Sequence, residues 1–245
     1  MRLAFFCLFL TRNSDTIAHI IYTYIGNNMT LPILYSLRRC PYAMRARIGI
    51  LLAKQPVMLR DIVMKNIPAE MIAVSPKATV PVLVLADSTI IDESLDIMLW
   101  ALQQSDPSNL LFKEDSRAFP SMLNLIHHND NEFVESLEKY KVAARYHDIA
   151  EVFYRNQCEI FITDLEGRLT SSEYLMGDKP CLADYALLPF VRQFSRVDRK
   201  WYLHSPYTNI QRWLNTHYQN PLFSKAMKKY PQWLDNHESV LIGTD

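Results

Sequence analysis

The chain has 245 residues, 49% of them hydrophobic, and its 26 Lys and Arg balance its 26 Asp and Glu. That length allows one large domain or two modest ones with a proper core, and the neutral balance argues against a dedicated nucleic-acid binder. There are only 5 Gly, and no GxGxxG, Walker loop or HExxH motif occurs, so dinucleotide cradles, phosphate loops and the commonest helical zinc motif are set aside.

Taken in order, residues 1–28 differ from the remainder of the chain. Leu3 to Leu10 is an apolar run too short to span a membrane, and the only small-x-small site near it, Thr16-Ile17-Ala18, is weak. Met29-Thr30-Leu31-Pro32 leads straight into a strand. Residues 1–28 are therefore read as an extension ahead of the true start at Met29, in preference to a signal segment or a real helical extension. Ile33-Leu34-Tyr35 is apolar and β-prone. Pro41 to Ala53 has helical spacing, Val57 to Ile62 reads as a second strand, and a short helix begins after Pro68. Val82 to Leu85 and Thr89 to Ile91 flank an Asp87-Ser88 turn, which predicts a hairpin. A helix opens at Asp92-Glu93-Ser94 and runs to about Gln104. Asp106-Pro107-Ser108-Asn109 marks a break.

Beyond the break strand signals fade. Helical periodicity covers Phe119–Gln157, Ile160–Glu173, Leu182–Val191, Asn209–Tyr218 and Leu222–Lys229. The predicted fold class is an α/β thioredoxin-like domain (βαβαββα) followed by an all-α domain. The expected division is an extension at 1–28, the α/β domain at 29–105, a linker at 106–116 and the helical domain at 117–245.

Four cysteines, Cys7, Cys40, Cys158 and Cys181, form no CxxC pair, so neither a zinc site nor a disulfide framework is expected. A reducing cytoplasm is the natural compartment. Cys40 stands where a strand turns into a helix, with Pro41 at the first helical position. The free N–H groups of that first turn favour a thiolate, and Arg38, Arg39 and Arg45 would add positive potential if they point that way. Against this stands the ordinary reading of a lone cysteine as a small buried hydrophobe. Pro81 opens an apolar strand, which suits a residue that cannot donate to a ladder. Glu93-Ser94 at a helix start could receive an amine and a carboxylate, although a plain N-cap has the same appearance.

Three motifs in this order carry a resemblance. Cys40-Pro41-Tyr42-Ala43, Thr79-Val80-Pro81-Val82-Leu83 and Asp92-Glu93-Ser94 resemble the active-site, cis-proline and Glu-Ser motifs of the cysteine-type glutathione S-transferase superfamily, omega-like or bacterial. The likeness covers about residues 32–230. It implies glutathione as co-substrate, with no other cofactor and no metal. It implies Cys40 as the nucleophile, Val80 and the cis Pro81 holding the cysteinyl part, Glu93 the γ-glutamyl ammonium and Ser94 its carboxylate. The family's lysine before the loop proline is replaced by Ile67, which leaves Lys65 as the candidate for the glycyl end.

The implied activity is glutathione-dependent thiol transfer or reduction, of dehydroascorbate-reductase type among others. Ala43 stands where a resolving cysteine would be, so the mechanism would be monothiol. Conjugation of glutathione to electrophiles is the second enzymatic reading, and a non-enzymatic interaction module is the rival class. The expected partners are glutathione, a small electrophile or disulfide and a second copy of the chain, with no nucleic acid and no membrane. Tyr35 and Tyr42 read as packing or pocket-wall residues. Trp201, Tyr202 and Tyr207 could line an apolar pocket, although core is the more ordinary reading of such a cluster. Asp184 resembles the family's structural capping residue, with Cys181 where a hydroxyl would stand.

Overall fold

The computed structural model describes residues 30–244; the readings made for residues 1–28 and for Cys7 lie outside them. Strand β1 (Ile33–Ser36) and strand β2 (Val57–Asp61) run parallel, Leu34 opposite Leu59. A parallel pair needs a crossover, and helix α1 (Pro41–Leu52) supplies it. Helix α2 (Ala69–Val74) leads to β3 (Val82–Val84), which pairs antiparallel with β1 and, through a tight turn, with β4 (Ile90–Ile91). Helix α3 (Ser94–Gln104) packs along α1.

Period-two alternation decides what each sheet face covers. Leu34, Leu59 and Leu83 point toward α1, α3 and the second domain. Tyr35 and Val82 point to the opposite face, where Met71 of α2 covers them. Gly49 permits the close approach of α1 to α3, because a Cβ there would lie 2.7 Å from the Met98 Cα.

The linker is not a free tether. Both carboxylate oxygens of Asp106 accept backbone N–H bonds, from Leu110 and Leu111, and both leucines are buried. The helical half comprises α4 (Ala118–His128), α5 (Val134–Tyr146), α6 (Glu151–Ser171), α7 (Leu182–Phe194), α8 (Arg199–Leu203), α9 (Thr208–Gln219), α10 (Pro221–Ala226) and α11 (Trp233–Asn236). A π-helical turn, Asn129–Phe133, joins α4 to α5.

Two expectations are corrected. The helix read as continuous over Phe119–Gln157 breaks at His147, which is left-handed (φ +53°) and closes α5; α6 then runs unbroken through residues 158 and 159. The expected helical domain at 117–245 also ends earlier. Val240–Ile242 forms a fifth strand, β5, antiparallel to β2, and the sheet order is β4-β3-β1-β2-β5. This pairing joins residues far apart in the chain, which periodicity cannot register. No helix among the described residues is long and apolar enough to cross a membrane.

Candidate functional site

A cleft of about 440 Å³ opens where β1 ends and α1 begins. Cys40, Tyr42, Val80, Pro81, Glu93 and Ser94 all line it. Cys40 is the N-cap of α1, extended at φ −72° and ψ 126°, with Pro41 first in the helix. Its N–H is held by the Leu37 carbonyl at 3.1 Å, so the Sγ stands at the helix N-terminus. The thiol lies 3.8 Å from the Val80 carbonyl, toward which it donates. Val80–Pro81 is a cis bond, and β3 starts only at Val82. The Val80 N–H therefore keeps no partner among the described residues and faces the cleft region as a free donor.

Ser94 is the first residue of α3 and is buried. Its hydroxyl accepts from Arg45 at 3.5 Å. Glu93 is exposed, and its carboxylate already has a cation: Lys77 Nζ lies 3.0 Å from Glu93 and 3.2 Å from Asp92. Lys77 is absent from the residues expected from sequence. Its only signal there is a basic residue in the loop before the cis-proline, which is too common to weigh.

Lys65 is not in this group. Val63 and Asn66 close a turn, Asn66 N–H donating to the Val63 carbonyl at 3.1 Å, and Lys65 sits exposed on its tip. The extended geometry that would have aimed Lys65 at the cleft is absent, and Met64 lines it instead.

Arg45 is corrected too. It does not lend its charge to Cys40. It is 1% exposed and forms a two-pronged pair with Asp130 at 2.8 and 2.6 Å. Its Nε donates to the Ala186 carbonyl at 3.0 Å, and its guanidinium lies 4.4 Å from the Phe190 ring centroid. The π turn delivers Asp130 to this place. Arg45 thus ties α1, Ser94 and the helical domain together beneath the cleft. Arg47, farther along α1 from Cys40, is also buried. It donates to Ser36 Oγ, to the Arg38 carbonyl and to the Ala226 carbonyl of α10. Burial brings its pKa down to about 10. The loop that presents Cys40 is therefore anchored from both domains.

Tyr42 forms a wall of the cleft, its ring edge-on to Phe190 at 5.0 Å, and burial raises its pKa. Tyr35 lies under the sheet and accepts from Arg60 at 2.7 Å, away from the cleft. Trp201, Tyr202 and Tyr207 are packed around Phe194 and one another. Cys40, Cys158 and Cys181 are all free thiols. Burial pushes the Cys158 thiol up to about 12, as expected of an inert core residue. Among the described residues no group of three His, Cys, Asp or Glu side chains could hold a metal.

Asp184 is fully buried and accepts four bonds: from the N–H groups of Leu175 and Cys181, from Trp213 Nε1, and from the Cys181 thiol at 3.2 Å. Its role as a structural cap is as read from sequence. The sulfur faces the Asp184 N–H as the other half of the capping box, as read from sequence, and its thiol also donates to the Asp184 carboxylate.

Residues 34–109 match the family model described as glutathione S-transferase, N-terminal domain, and residues 161–221 match the glutathione S-transferase C-terminal domain. No curated protein matches the chain. Among solved structures, a glutathione transferase family member from Pseudomonas fluorescens, with two glutathione bound, is 17% identical with a TM-score of 0.71 over 80% of this chain and 92% of its own. BphK, a bacterial transferase solved as a ternary complex, is 18% identical with a TM-score of 0.69, over 80% and 97%. Glutathione S-transferase-I bound with lactoylglutathione is 18% identical with a TM-score of 0.67, over 81% and 99%. Those identities speak for the fold alone. The two family models, which fall in order on the two halves and together span more than half of the sequence, place this chain in the glutathione S-transferase superfamily.

Proposed function

We propose that the chain is a glutathione-dependent transferase, with glutathione lying in the Cys40 cleft. The observation that carries this is the convergence, in one cleft, of a thiol at a helix N-terminus, a free backbone N–H at Val80 and the buried Ser94 at the start of α3. In this reading Val80 pairs with the backbone of the cysteinyl residue, a one-residue strand addition. Ser94 and the α3 N-terminus take the γ-glutamyl carboxylate. Glu93 takes the ammonium, in place of or beside Lys77.

Two chemistries share this binding mode. The similar structures, which are named as glutathione transferases, favour conjugation: the glutathione thiolate attacks an electrophilic carbon, an S–C bond forms and the leaving group departs with its electron pair. The position of Cys40 supports monothiol exchange. Its thiolate attacks the glutathione sulfur of a mixed disulfide, a Cys40–glutathione disulfide forms and the substrate thiolate leaves. A second glutathione thiolate then attacks that disulfide, restores Cys40 and departs as oxidised glutathione. Ala43 supports this order, since the chain offers no resolving thiol in α1.

Turnover of a glutathione mixed disulfide and of an electrophile, each by wild type and by Cys40→Ala, tests the reading. Exchange lost in Cys40→Ala means that Cys40 is the nucleophile. Conjugation that survives in Cys40→Ala means that Cys40 is dispensable and conjugation is the activity. If neither protein binds glutathione, the reading fails and an interaction module takes its place. The reading carries a cytoplasmic homodimer with it. Exposed Ile90 beside Leu99 and Trp100 of α3 offers an apolar face for a second copy, and light scattering gives the mass.

A further inference from the structure

We propose that the groove between the C-terminal ends of α5 and α7 binds a small polyanion, and that the acceptor substrate places its acidic groups there. The acceptor assignment rests on the transferase reading; the polyanion site does not.

The groove holds about 360 Å³ and is lined by Lys141 and Arg145 of α5, Arg192 and Gln193 of α7, and Arg196 just after α7. That volume is in the range of small-molecule sites. Lys141 pairs with Glu138 at 2.7 Å. Arg145, Arg192 and Arg196 meet no carboxylate among the described residues, although acids and bases are equal in number over the whole chain. The Gln193 Oε1 is buried without a hydrogen-bond partner, so no bond holds its amide against turning toward a ligand.

Cations at helix C-termini have an ordinary explanation. Arg145 and Arg192 lie in the last turns of their helices, where they complement the dipole. Each helix end carries about half a negative charge. Two helix ends and Glu138 set against four cations leave an excess of roughly two positive charges. Three planar guanidinium forks around one groove suit carboxylates or phosphate oxygens, which they can grip in pairs.

The groove adjoins the Cys40 loop. Arg192 lies 5.8 Å from the Phe223 ring centroid of α10, and α10 is tied to the Cys40 loop by Arg47, which donates to both the Ala226 and the Arg38 carbonyls. Tyr42 of the cleft packs on Phe190, which α7 carries in its last two turns together with Arg192. A substrate with its reacting atom at Cys40 and its charged end on Arg192 would lie along this wall.

Two probes separate carboxylate from phosphate ligands: mercaptosuccinate and inorganic pyrophosphate. Calorimetry at low ionic strength is expected to show binding of one or both to the wild type, weakened about tenfold in the double variant Arg192→Gln/Arg196→Gln. Arg145→Gln, an exposed change that leaves the fold alone, is expected to weaken binding about threefold. The preference in kcat/KM for the glutathione mixed disulfide of mercaptosuccinate over that of 2-mercaptoethanol is expected to fall about tenfold in the double variant. Absent binding, or binding equal in wild type and all variants, overturns the groove. Intact binding with neither mixed disulfide turned over overturns the exchange reading and the acceptor assignment, and leaves the groove standing as a polyanion site.

Discussion

His217 is buried against Trp213 at 4.7 Å and Tyr185 at 5.3 Å, and its Nε2 has no partner. Burial alone holds its pKa down to about 4. The unfolded chain takes up this proton near pH 6.5 and the folded chain only near 4, so stability present above pH 6.5 is lost as pH falls between those values. The loss amounts to at most about 3 kcal/mol. His217→Phe keeps a ring in place and removes the titration. Its melting temperature is expected to fall less between about pH 7 and pH 4.5 than that of the wild type, as measured by calorimetry. At Cys181 the fully buried thiol donates to Asp184, and the thiol pKa is raised by burial first and by that carboxylate second. A hydroxyl donates more strongly than a thiol. Cys181→Ser is therefore expected to raise stability by about 1 kcal/mol; an unchanged or lower midpoint in urea would count against the cap.

At the scale of elements, α1 is the beam on which both domains rest, and two of its residues show how. Ala at position 49 would improve helix propensity by about 1 kcal/mol. Its methyl, however, would stand 2.7 Å from the Met98 backbone, which cannot swing aside like a side-chain tip. Gly49→Ala is expected to destabilise by about 1 to 3 kcal/mol, read from the denaturant midpoint. One turn earlier on the same face, Arg45 carries the pair with Asp130, whose side chain is 28% exposed. Arg45→Lys keeps the charge but loses the fork, the Ala186 bond and the stacking on Phe190. A loss of about 2 to 3 kcal/mol is expected, less than for a fully sealed pair because water reaches Asp130. Arg45→Met with Asp130→Leu is expected to recover most of it, since no uncompensated charge remains. Ser94 loses its partner in both proteins, so weaker glutathione binding in the stable double variant would separate the positioning of Ser94 from simple stability.

Across the whole molecule, what the sequence made legible was local. Cys40-Pro41, the cis Pro81 and Ser94 each announce a strand end or a helix start within a few residues, and the order of the elements follows from short-range periodicity. What escaped is long-range. Asp130 reaches Arg45 across 85 positions through a π turn that has no sequence signature. Lys65 and Lys77 are both loop lysines; only the Val63–Asn66 turn and the placement of the loop before Val80 decide which one meets the acidic pair. The tail is the largest omission. Arg60 of β2 lies 3.8 Å from the Trp233 ring centroid and donates to Ser239, while Trp233 Nε1 donates to Glu70 of α2. Together these hold β5 against the β2 edge, which would otherwise expose unpaired backbone. Gly243 closes the strand at φ +83°, and a Cβ there would strike the Gln55 carbonyl oxygen at 2.0 Å. Gly243→Ala is expected to detach β5: hydrogen exchange at Val57–Leu59 should quicken while α1 and α7 stay protected. Unchanged protection in β2 would mean that the edge does not depend on the tail.

The same pairing brings the two ends of the described chain side by side. Pro32 accepts from the Met58 N–H at 2.8 Å on one side of β2, and Ile242 stands opposite Val57 on the other. Two strand spacings separate them, about 10 Å. The fold is thus close to a ring with one gap, which a linker of about four residues could bridge. A circular permutant that joins residue 244 to residue 30 and opens beside the fully exposed Ile149 is expected to fold with the same two-domain core. Mechanically, the described ends lie at the same end of the sheet, so pulling them apart would peel β1 and β5 from β2 one hydrogen bond at a time before it tensioned the helices.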